Sequence, residues 1–84
     1  MSNTTQEPKT LKLPSGKTAL IEQGKGKHVR MATRVSGGDQ SLFLNALMSQ
    51  LVTIDGKGLV AEDFDEMDMN DYMTLSGEFA EVNF

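Results

Sequence analysis

The chain predicts an α+β fold, mainly helical, in which an N-terminal β-hairpin packs on three to four short helices. Three observations predict it. Thr10–Leu13 and Thr18–Glu22 are short, partly alternating segments on either side of Pro14-Ser15-Gly16-Lys17, a connector whose proline and glycine favour a tight reversal. Gln40 to Ile54 is a run of fifteen residues without a charge, and eight of its first thirteen are apolar. The remaining apolar residues recur at helical spacing between Gly-Gly and acidic boundaries.

The first ten residues, MSNTTQEPKT, are polar and lack the apolar core of a signal peptide. They read as a disordered arm over residues 1–9, followed by one small domain over 10–84. After the hairpin, Gly24-Lys25-Gly26 breaks the chain. Lys27 to Val35 then carries Val29, Met31, Ala32 and Val35, with Arg30 and Arg34 one turn apart on another side. A short amphipathic helix is expected there, stopped by Gly37-Gly38, since glycine adopts the left-handed conformation of a helix end at little cost. Asp39 is placed to cap the next helix.

In that next helix, at 100° per residue, Phe43, Leu44, Leu47, Met48 and Leu51 share an arc of about 140°. Leu42, Ala46 and Val52 fall outside it, so the helix is apolar on most sides and needs cover on most sides. It should end near Val52 or Thr53. Asp55-Gly56 then signals a turn between two very short extended pieces, followed by a single helical turn that sends Phe64 and Met67 inward. A last helix should begin after Asp68, with Tyr72, Leu75, Phe79 and Val82 in a stripe of about 80° and Gly77 as a weak point.

Composition excludes several classes. With no cysteine and one histidine, His28, the chain has neither a disulfide nor a conventional zinc set. No run of about 20 apolar residues exists, so no membrane-spanning helix is expected. A small domain without staples draws extra stability from association. The net charge of −4 hides a division: residues 1–34 hold seven of the eight basic side chains and two acids, whereas residues 35–84 hold ten acids and Lys57. Lys25, Lys27, His28, Arg30 and Arg34 form the basic cluster. The plain reading of the charge division is two solvated faces of one domain; beyond it, the cluster suits contact with an acidic protein surface, including the acidic half of a second copy. Nucleic acid ranks below this, because the pI is acidic and no aromatic residue precedes Phe43.

Two motifs fail on spacing. Ser15-Gly16-Lys17-Thr18 imitates the end of a phosphate-binding loop, but Leu11 stands where the first glycine is required. Asp63, Asp65, Glu66, Asp68 and Asp71 suggest a calcium loop, yet from Asp63 the fifth and sixth positions are Met67 and Asp68. No nucleophile and base pattern surrounds His28, so neither an enzyme nor a cofactor or metal site is expected. The six methionines suit gap filling and surfaces that accept varied apolar partners.

The hairpin around LKLPSGK, the basic stretch HVRMATRVSGGD, the helix LFLNALMSQLV, the turn IDGKGLVAEDF and the closing MDMNDYMTLSGEF come in an order that resembles the small tail assembly chaperones of contractile-tailed bacteriophages. These belong to the Mu-like group, which also occurs in prophages, and the resemblance covers about residues 10–80. It implies a non-enzymatic factor of the bacterial host cytoplasm, absent from the mature virion, which binds the tape measure protein and keeps it soluble during tail assembly. It also implies that a frameshifted longer form can exist. The partner-binding residues expected are Leu42, Phe43 and Leu47 as apolar anchors, with Arg30 and Arg34 steering acidic stretches of the partner. Self-association through the 40–54 helix is a further expectation. The alternatives are a small oligomerising structural or regulatory adaptor and, behind it, a nucleic-acid-binding module.

Overall fold

The computed structural model describes residues 8–84. Its elements are β1 (Lys9–Lys12), β2 (Thr18–Ile21), α1 (Gly26–Ser36), α2 (Gln40–Leu51), β3 (Val52–Ile54), β4 (Lys57–Gly58), α3 (Ala61–Asp65) and α4 (Met69–Asn83). The fold is α+β and mainly helical, as the sequence predicts. The arm expected over residues 1–9 lies outside the described residues up to position 7, and Lys9 already opens β1.

The hairpin reverses through Leu13–Lys17, closed by Leu13 N–H to the Lys17 carbonyl at 2.8 Å and Gly16 N–H to the Leu13 carbonyl at 2.9 Å. It does not stand alone. All four strands form one antiparallel sheet in the order β1-β2-β3-β4, with Ala19 opposite Ile54 and Ile21 opposite Val52. Two added strands give the hairpin the pairing that an isolated two-stranded ribbon lacks. Alternation then sorts the side chains: Ala19, Ile21, Val52 and Ile54 turn into the core, while Thr10, Lys12 and Thr18 stay outside it.

The uncharged segment divides between helix and strand. Helix α2 stops at Leu51, one or two residues earlier than expected, and Val52-Thr53-Ile54 continues without a loop as β3. Three consecutive β-branched side chains lose rotamer freedom in a helix and pack well on a pleated surface, so the switch falls where they begin. Asp55 and Gly56 both have positive φ, 51° and 82°, as a two-residue hairpin turn between β3 and β4 requires. The turn is tied to β2 by Thr18 N–H to Asp55 Oδ1 at 3.0 Å and Asp55 N–H to the Thr18 carbonyl at 2.8 Å.

Helix α2 lies at the centre of the molecule. Asn45, Ala46, Leu47 and Met48 are all buried, and four consecutive residues span the full circumference of a helix. The cover that so apolar a helix needs therefore comes from its own chain: α1 and α3 pack on it, and its C-terminus runs into the sheet. Phe64, Leu75 and Phe79 close the core from α3 and α4, with Met67, Tyr72 and Val82 partly buried beside them. The Asp68 carboxylate makes no cap bond, although Asp68 occupies the N-cap position of α4.

Helix α1 departs from its expected pattern. Only Ala32 and Ser36 are buried, while Val29, Met31 and Val35 are exposed. The line of contact with α2 runs through the two small residues, which leaves the larger apolar side chains outside. At the start of α1, His28 Nδ1 accepts the Lys25 N–H at 2.9 Å, so His28 serves as a local cap rather than facing solvent freely.

Candidate functional site

The sequence-predicted site residues lie on two helices that meet at one corner. Helix α1 ends with Gly37 in the left-handed conformation, φ 63°, and its N–H reaches the Arg34 carbonyl. Two residues later the Asp39 Oδ1 accepts from the Ser41 N–H at 2.9 Å and from the Ser41 hydroxyl at 2.7 Å. These two hydrogen bonds hold the Asp39 carboxyl below its ordinary pKa, the hydroxyl contributing more than the backbone. A capped corner of this kind fixes the first turn of α2, which carries Leu42 and Phe43.

Leu42 is 43% exposed and Val35 61%. Together they line a shallow cleft of about 110 Å³, with Asn45 and Ala46 of α2 and Ala61, Glu62 and Asp65 of α3 around it. Phe43 is partly buried against the core and lines a separate cleft of about 440 Å³, bounded by Thr33, Ser36, Gly38, Asp39 and Gln40. The first turn of α2 thus presents one apolar side chain to each of two clefts. Arg30 and Arg34 are exposed on α1, and neither forms an ion pair among the described residues.

Leu47 is not available to a partner. It is 3% exposed and belongs to the core, so its expected role as a surface anchor is corrected to packing. The same burial restricts any contact made by the 40–54 segment. Asn45 through Met48, Leu51, Val52 and Ile54 are enclosed, and Leu42, at 43%, is the one large apolar residue of α2 that is exposed.

The polar groups near the cleft form a chain that fixes three helices. The Tyr72 hydroxyl donates to Asn45 Oδ1 at 2.6 Å, and Asn45 Nδ2 donates to Asp65 Oδ1 at 3.3 Å. Burial, and then the negative charge of Asp65, raise the Tyr72 phenol above its ordinary pKa. Sequence reasoning missed this network, although a lone asparagine in an apolar helix is a signal that a buried partner awaits it.

The acidic run has structural uses of the same kind. Asp63 Oδ2 accepts the Val60 N–H at 2.9 Å, and the buried Asp71 accepts the Ser15 N–H at 3.0 Å and the Ser15 hydroxyl at 2.5 Å. The Ser15-Gly16-Lys17-Thr18 turn therefore directs its first N–H at a carboxylate of its own chain. Among the described residues no three histidine, cysteine or acidic side chains come together as a metal site. No helix among them is long and apolar enough to cross a membrane.

Compared with protein-family models, with curated proteins and with solved structures, the chain finds no match.

Proposed function

We propose that the protein is a non-enzymatic tail assembly chaperone of a phage or prophage, which binds the tape measure protein and keeps it soluble until the tail forms around it. One observation carries the reading beyond the order of elements. Val35 and Leu42, from two different helices, stand exposed on the walls of one cleft, with Arg30 and Arg34 free on the adjoining helix. An apolar strip with Arg30 and Arg34 toward one edge and Glu62 and Asp65 along the other suits an amphipathic helix whose polar side is acidic toward α1 and basic toward α3. A long helical chain awaiting assembly would present such stripes. Burying one leucine-sized side chain contributes about 1.5–3 kcal/mol, so two or three contacts of this kind suffice for a reversible complex. On this reading the protein acts in the bacterial host cytoplasm and is absent from the finished virion.

Co-expression tests the proposal directly. The tape measure protein encoded beside this chain is produced with and without it, and the soluble fraction is measured. A clear gain in soluble tape measure protein, lost when Leu42 and Val35 are both changed to aspartate, supports the reading. Equal solubility in the absence of the chain overturns it.

A further inference from the structure

The outward faces of α1 and α4 are complementary. At 100° per residue, Arg30, Arg34, Lys27, Met31 and Val35 fall within about 140° on the side of α1 opposite Ala32 and Ser36. All five are exposed, and α1 carries no acid. On α4 the buried side is Asp71, Leu75 and Phe79. Met69, Met73, Gly77 and Glu81, each four residues apart, form the ridge on the other side. Met69 is 77% and Met73 64% exposed, and no neighbouring atom lies within 4 Å of the Gly77 Cβ position. Residues 59–84 hold eight acids and no base. A helix of this chain thus turns methionines, a glycine and a carboxylate to solvent where lysines and arginines would ordinarily stand.

We propose that the Met69–Met73 face of α4 docks on the α1 face of a second copy of this chain. Met73 and Met69 would meet Met31 and Val35, and Asp68 and Glu81 would meet Lys27, Arg30 and Arg34. Ridges spaced by four residues on both helices allow the two to interdigitate, and Gly77 leaves room for close approach. The contact cannot be satisfied within one chain. Phe84 and Val29 line one cleft, so the C-terminal end of α4 is the end near α1, and Met69 lies fourteen residues, about 21 Å of helix, from Asn83. This contact does not depend on the tail-assembly reading, and it would compete with a partner for α1.

The chain alone provides the test. Sedimentation velocity of the wild type from micromolar to millimolar concentration should show mass rising from the monomer to the dimer or beyond, and less so at high salt. The R30E/R34E variant sets acid against acid, and the M69K/M73K variant sets base against base. All four positions are exposed, and circular dichroism reports whether each variant retains its fold. Each variant alone should associate about tenfold or more weakly than the wild type. An equimolar mixture should regain association, because each variant keeps the face the other has lost. Arg30→Lys with Arg34→Lys should associate as the wild type does. A wild-type chain that stays monomeric throughout, single variants that associate undiminished, or a mixture that remains monomeric overturns the proposal.

Discussion

A methyl group added at Gly24 would lie 2.6 Å from Leu51 Cδ1, and Leu51 is enclosed where α2 passes into the sheet. Gly24 also donates its N–H to Asn83 Oδ1 at 2.6 Å, which ties the connection between β2 and α1 to the end of α4. The Leu51 Cδ1 methyl must shift to admit it, in a residue that is 4% exposed, so Gly24→Ala should lower unfolding stability by about 1–3 kcal/mol, read from urea titration. Tyr72 makes the second prediction at this scale. Burial and the Asp65 charge raise its phenol in the folded state, so the folded protein holds that proton more tightly than the unfolded chain. The stability this contributes is complete below the unfolded value of about 10 and is lost as pH rises through the higher folded value. Phenolate absorbance reports the residue directly, since the chain has one tyrosine. Its midpoint should lie above that of the urea-unfolded protein, and Tyr72→Phe should lose the part of the alkaline decline that tracks this midpoint. Coincident midpoints would show that burial and the Asp65 charge do not hold the phenol protonated.

Helix α4 contains Gly77 in its third turn with nothing of its own chain against it. Removing backbone freedom there costs no contact, so Gly77→Ala should raise unfolding stability by about 0.5–1 kcal/mol, measured by thermal and urea unfolding. The opposite signs expected at Gly24 and Gly77 follow from their surroundings, which the letter G does not encode. Elements whose signals are local were legible in the sequence: the Pro14–Lys17 reversal, the Gly37 helix end, the Asp39 cap and the Asp55-Gly56 turn. Elements decided by distant neighbours were read less well. Val52-Thr53-Ile54 continues the apolar pattern of α2, so the pattern alone runs past the end of the helix, and only pairing with Ala19–Ile21 makes the segment a strand. Of the apolar residues of α1 only Ala32 is buried, because α2 meets the helix through Ala32 and Ser36 rather than through its largest side chains.

The molecule as a whole determines which sides of α2 remain free, and this is why the candidate site was only partly legible. Periodicity identifies an over-apolar helix, but its arc of about 140° leaves out Ala46 and includes Leu47, which is also expected as an anchor. Cover by α1, α3 and the sheet at once encloses both. Leu42 and Leu47 now separate binding from folding. Leu42→Asp changes a position that is 43% exposed, so it should lower unfolding stability by about 1–1.5 kcal/mol, short of the loss at a core position. If the proposed function holds, it should nonetheless abolish most of the gain in soluble tape measure protein, because a charge replaces the apolar wall beside Val35. Leu47→Ala empties a core position and should cost about 2–5 kcal/mol, while the folded fraction keeps its binding surface intact. Both variants are compared by urea unfolding and by capture of tape measure protein at a temperature where Leu47→Ala is still folded. Loss of capture by Leu47→Ala alone, with Leu42→Asp unaffected, would move the working surface away from the α1–α2 corner.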